Sequence, residues 1–101
     1  MSKGQRIEAY AYAANGRLLA VGHNSYTKTH PVQAHYARLA GQHQKVYLHA
    51  EIDALVKAKS QVHKLAIVRY GKRGETRLAK PCPVCELAIN NFRVKLVEYT
   101  T

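Results

Sequence analysis

Two short stretches most restrict what this chain can fold into: His49-Ala50-Glu51 and Pro81-Cys82-Pro83-Val84-Cys85. One imidazole and two thiols form a donor set for zinc, and Glu51 adds a carboxylate that need not be a ligand. A structural zinc normally closes its shell with a fourth protein ligand, whereas a catalytic zinc keeps one position for water. Cys82 and Cys85 stand at i and i+3, which puts both sulfurs on one side of a first helical turn. His49 and Glu51 stand at i and i+2, about 200° apart on a regular helix, so they cannot both face a point beside its middle. Both can reach a point beyond a helix N-terminus. The spacing therefore predicts a metal between the N-termini of two helices, one starting near His49 and one near Pro81. Proline is tolerated there because its missing N–H has no acceptor in the first turn. The partial positive charge of a helix N-terminus also favours thiolates. A Cys82–Cys85 redox pair is the competing reading of C-x-x-C. The motif's position near the C-terminus, after H-x-E, favours the metal.

The elements around these motifs can be read from pattern. Ile7 to Ala13 reads as a strand, Ala14-Asn15-Gly16 as a tight hairpin turn, and Arg17 to Gly22 as the returning strand. The polar stretch from Asn24 to His30 ends at Pro31 and reads as a loop. Pro31 to Leu39 reads as a short helix capped near Thr29 or His30. His49 to Val62 reads as a helix that buries Ile52, Leu55, Val56 and either Ala58 or Lys59. Lys64 to Tyr70 reads as a central strand, apolar on both faces through Leu65-Ala66-Ile67-Val68. Glu75 to Ala79 returns briefly as an extended segment, Cys82 to Asn90 forms the second metal-site helix, and Val94 to Tyr99 is the last strand. The helix between the third and last strands implies a parallel crossover. The expected architecture is α/β, with a mixed sheet of four main strands and the metal-bearing helices on one face. With 101 residues, the chain is expected to form one domain, 1–101.

The two motifs resemble the H-x-E…P-C-x-x-C signature of zinc-dependent deaminases of the cytidine deaminase-like superfamily. His49-Ala50-Glu51-Ile52-Asp53-Ala54-Leu55 is similar to the H-A-E-x-N-A helix of deoxycytidylate-type members, with Asp53 where Asn is usual. Val21-Gly22-His23-Asn24 is similar to the strand end that ends in a substrate-binding Asn. Phe92 to Tyr99 is similar to the strand after the cysteine helix. The resemblance covers roughly four fifths of the chain in order. Two patterns are missing. No F-N-x-E of the tetrameric free-cytidine enzymes precedes the helix, and Lys45-Val46-Tyr47-Leu48 replaces the D-P-T-A of the tRNA adenosine deaminases.

The resemblance implies a two- or three-layer deaminase-like sandwich and Zn2+ held by His49, Cys82 and Cys85. It makes Glu51 the catalytic proton shuttle, with Asn24 and the backbone N–H of Ala50 contacting substrate. Zinc acidifies its water, so a hydroxide-like nucleophile exists near neutral pH. Deamination also moves one proton onto the ring and another onto the departing amine, and one carboxylate beside the water can relay both. The expected function is a zinc-dependent hydrolytic deaminase (a hydrolase) that converts cytosine to uracil on a nucleoside or nucleotide, with adenine as the alternative base. A polynucleotide deaminase and a non-catalytic zinc-stabilised binding module are the alternative functions.

Charge bears on the substrate. Sixteen Lys and Arg stand against six Asp and Glu, a formal charge of +10, which implies an anionic partner. A nucleotide phosphate or a single-stranded nucleic acid would satisfy it. Lys28, Arg69, Lys72, Arg73 and Arg77 are candidates for phosphate contact, and Tyr26 and Tyr36 for base stacking. His23 and His30 flank the loop and are weaker candidates for a phosphate or base contact. No run approaches the ~20 apolar residues of a membrane span, and Met1 to Arg6 lacks the apolar stretch of a signal peptide, so a cytoplasmic protein is expected. So small a domain exposes much of its surface, and a homo-oligomer is expected.

Overall fold

The computed structural model describes residues 6–101. Residues 1–5, part of the stretch read as lacking an apolar leader, lie outside the described residues. The elements run β1 (Arg6–Tyr12), β2 (Leu18–His23), α1 (Pro31–Leu39), α2 (Ala50–Ala58), β3 (Lys64–Tyr70), β4 (Thr76–Arg77), α3 (Pro83–Asn91) and β5 (Leu96–Tyr99). β1 pairs antiparallel with β2 on one side and β3 on the other. β3 takes both β5, in parallel, and the two-residue β4, antiparallel, on its far side. Among the described residues the result is a mixed five-stranded sheet with three helices. The expected four main strands and the parallel β3–β5 pair are present, and β4 falls in the segment read as briefly extended.

The strand period of two explains the layering. Ala9, Ala11, Leu65 and Ile67 point to one face and are buried. They meet Ala50, Ile52, Ala54, Leu55, Val84, Cys85 and Ala88 from the helices in one core. α2 lies against β1 and β2, while α3 packs on α1 and α2. The other face of the sheet carries Glu8, Tyr10, Tyr12, Lys64, Ala66 and Val68 and is only partly covered. β3 is therefore central in strand order but buried on one face alone, which corrects the expectation of a two-sided apolar strand.

Three element ends differ from the sequence reading. The first hairpin turn is not a two-residue Asn-Gly turn, since only Gly16 has positive φ (+88°) and Asn15 does not. Ala13 and Arg17 close a wider loop, Asn15 Oδ1 accepts the Arg17 N–H, and the strand register shifts at Ala11/Tyr12. α2 stops at Ala58 instead of Val62, because Lys59 takes a left-handed backbone (φ 54°) that ends the helix. The last strand starts at Leu96, two residues later than expected, after Arg93 adopts φ 59°. His30 caps α1, its Nδ1 accepting the Val32 N–H at 3.1 Å.

Candidate metal centre

α2 is seated by a close backbone approach. A Cβ on Gly22 would overlap the Ala50 carbonyl oxygen and the backbone of Ala54, so only glycine lets the helix lie this near β2. Asp53 adds a second tie, with Oδ2 accepting the backbone N–H of His23 at 2.9 Å and the Lys57 ammonium at 3.0 Å. Asp53 thus joins the start of α2 to the end of β2. Buried Gln33 of α1 fixes the segment leading into the helix: its Oε1 accepts the His49 N–H at 3.1 Å and its Nε2 donates to the Lys45 carbonyl at 2.9 Å.

His49 and Cys82 occupy the N-cap positions of α2 and α3. Cys85 follows in the first turn of α3 and is fully buried. The two helix N-termini therefore converge, as the ligand spacing predicts. Proline in the first turn is Pro83, and α3 begins there and not at Pro81. His49 Nδ1 lies 3.2 Å from Cys85 Sγ and 3.6 Å from Cys82 Sγ. The donor atoms of His49, Cys82 and Cys85 all lie within 4.8 Å of one another, close enough to hold a metal ion. A tetrahedral zinc with bonds of about 2.0 Å to N and 2.3 Å to S separates those donors by about 3.5 Å. The observed separations, 3.2 and 3.6 Å from the imidazole and none above 4.8 Å, bracket that value. Among the described residues no other group of three His, Cys, Asp or Glu side chains does so, and Glu51 is not among these donors.

The three donors share their protons unevenly. The Cys85 S–H hydrogen-bonds to Cys82 and, with His49 beside it, holds the Cys82 thiol down at about 3. Donating that proton, together with burial, pushes the Cys85 thiol far up. The Cys82 thiolate raises His49 above its ordinary range against the opposing effect of burial. The shorter contact of His49 is to Cys85, but the charge that holds its proton sits on Cys82. Glu51, almost wholly buried at the second position of α2, is raised chiefly by desolvation.

A cleft of ≈ 290 Å³ opens beside this group. His49, Cys82 and Glu51 form its chemical end, and Asn24, Tyr26, Tyr47 and Lys80 stand around it. The rim is built where two loops meet, through a backbone bridge between Thr29 and Tyr47 and bonds from Leu48 N–H to the Lys28 carbonyl and from Ser25 N–H to the Leu48 carbonyl. Asn24 lines the cleft, but its Oδ1 accepts the Ile7 N–H at 2.9 Å, so its amide also serves the strand end. Ala50 is the first residue of α2, where a backbone N–H has no acceptor within the helix.

Other expected contacts fall elsewhere. Tyr36 is buried, packed edge-on against His35 and tilted against Phe92, and presents no stacking face. His30 is committed to its cap, and His23 lies 4.0 Å from Glu8. Arg77 pairs with Glu75, and Arg69 donates to the Leu78 carbonyl at 3.3 Å, and neither lines the cleft. Sequence reasoning missed Gln33, Tyr47 and Lys80. Only Gln33 carried a signal: a polar side chain at i to Tyr36 and Ala37, on the inward stripe of its helix. No protein-family model matches the chain, and no curated protein matches it. Among the described residues no helix is long and apolar enough to cross a membrane.

Proposed function

We propose that the chain is a zinc-dependent hydrolytic deaminase that converts a cytosine base, carried by a nucleoside or nucleotide, to uracil with release of ammonia. One observation carries the reading. A buried carboxylate, Glu51, shares a cleft with His49 and Cys82, two members of a His/Cys/Cys donor set to which it does not belong. A purely structural zinc site has no use for it, and taking a carboxylate out of water is costly.

His49, Cys82 and Cys85 would hold zinc, which when bound supplies an acidified water. Glu51 accepts a proton as the water oxygen bonds to the ring carbon bearing the amino group, and passes it to the adjacent ring nitrogen. It then takes the remaining hydroxyl proton and hands it to the amino group. The carbon–nitrogen bond breaks, ammonia leaves, and Glu51 returns to its starting state. The raised proton affinity of Glu51 suits a group that must both accept and donate. The Ala50 N–H stands at the helix end where a base carbonyl can be received. Asn24 and the tyrosines wall the cleft on the substrate side.

The test is ammonia release with product mass for zinc-loaded protein. The panel is cytidine, deoxycytidylate, cytosine-containing single-stranded DNA and an adenosine-containing RNA hairpin. Turnover that vanishes in Glu51→Ala while zinc stays bound supports the reading. Stoichiometric zinc with no turnover of any substrate overturns it.

A further inference from the structure

Lys80 stands in the walls of two clefts. One is the metal-site cleft, and the other is a neighbouring groove of ≈ 350 Å³ between α3 and β5. Pro81 and Asn90 line that groove on one side and Val97 and Tyr99 on the other, with Glu86 as its acid. Tyr99 is 39% exposed. An exposed cation thus sits between a cleft that can accept one base and a groove that offers an aromatic ring, an amide and a carboxylate. We infer that the two clefts bind consecutive nucleotides of a single-stranded polynucleotide, with the target base in the first, its neighbour against Tyr99 in the second, and the linking phosphate at Lys80. The inference rests on the deaminase reading only for what happens to the base in the first cleft.

Charge places the strand here and not on the open sheet face. On that face Arg6 lies near Glu8 and over the Tyr70 ring, and Lys64 lies near Glu98 and over Tyr12. Its cations are matched, so it does not draw a polyanion. Around the clefts, none of Lys28, Lys45 and Lys80 pairs with an acid among the described residues. Glu86 repels a phosphate inside the second groove but accepts from a base amino group, so the groove suits a base and Lys80 the phosphate. An aromatic platform beside a cation is the arrangement that holds single strands through stacking and backbone charge. A lone nucleotide would leave the second groove unused.

The experiment measures binding, with zinc-loaded Glu51→Gln protein as the host so that no ligand is consumed. Fluorescence anisotropy competition compares deoxycytidylate, a cytosine-centred trinucleotide and a longer oligomer, each as DNA and as RNA where the sugar allows. The trinucleotide is expected to bind about tenfold or more tighter than the mononucleotide, and to weaken more steeply with salt. Lys80→Ala and Tyr99→Leu are each expected to shrink that ratio toward one. Binding of either DNA or RNA in this pattern supports the inference and identifies the sugar. Equal affinity for mononucleotide and trinucleotide, or a ratio that neither variant changes, overturns it. If ammonia release fails on every substrate while the length dependence stands, the deaminase reading falls and this one survives. If free deoxycytidylate is deaminated with no gain from added length, the reverse holds.

Discussion

The backbone N–H of His23, at the end of β2, donates to the carboxylate of Asp53 in α2 at 2.9 Å. The same oxygen meets the Lys57 ammonium. These two bonds separate what the position needs from what it merely tolerates. Asp53→Asn keeps an acceptor for His23 and loses a partly exposed ion pair, so it should cost no more than about 1 kcal/mol. Asp53→Ala leaves the His23 N–H without its partner and should cost about 1–3 kcal/mol. Urea unfolding of the three proteins, with metal present, checks the order.

Gly22→Ala should be worse than its size suggests. The added methyl meets backbone, which cannot rotate away as a side chain can. Destabilisation of about 1–3 kcal/mol is expected from overpacking. The start of α2 carries His49, so zinc affinity should fall with it. A competition titration against a chromophoric chelator reads that loss directly, and unchanged zinc affinity would contradict the seating of α2 described above.

On the proposed deaminase reading, Glu51→Gln should lower turnover by about 10²–10⁴-fold while leaving zinc bound. The amide keeps the shape and removes the proton traffic. Metal analysis alongside initial rates separates the two effects. Loss of zinc in this variant would make Glu51 a ligand instead.

Thiol chemistry gives a pH prediction for the metal-free protein. The Cys82 thiol is held down at about 3, so its thiolate persists as pH falls from alkaline to mildly acid conditions. An ordinary thiol loses thiolate roughly tenfold per unit below about pH 8.5. Alkylation of Cys82 should therefore be nearly independent of pH between about 5 and 8, whereas Cys85, raised and buried, stays unreactive. Peptide mapping after brief iodoacetamide treatment resolves the two sites. Prior zinc loading should protect both.

Removing the metal should also lower stability. A ligand that binds only the folded state adds about 4 kcal/mol when present at a thousandfold its Kd. Thermal scans with and without a chelator should show a corresponding fall in Tm, and Cys85→Ser should remove most of the difference.

The metal group was legible because its information is local. H-x-E and C-x-x-C each place donors at a helix start, and two helix starts can face one ion. The fold was legible where apolar period and turn residues agree, as in β3 and α1. It was less so at the end of α2, where the apolar pattern runs on to buried Val62 although the helix has stopped at a left-handed lysine. The cleft rim was hidden for a different reason. Lys80 joins Glu51 in the cleft only when segments distant in sequence meet, and Tyr47 lies just before α2, where no period marks which way a side chain turns. Tyr36 shows the opposite error. A tyrosine in a polar-looking helix reads as exposed, yet it fills the gap between α1 and α3.

The convergence of two helix ends has a consequence for the chain as a polymer. His49 and Cys82 are 33 residues apart, and β3, the strand to which β1, β4 and β5 all pair, lies between them. An ion gripping both would close that stretch into a ring. The central strand then could not peel from the sheet without either breaking the clasp or carrying two helices with it. Local opening would be converted into global opening, and amide protons in β3 should then exchange only as fast as the whole molecule unfolds.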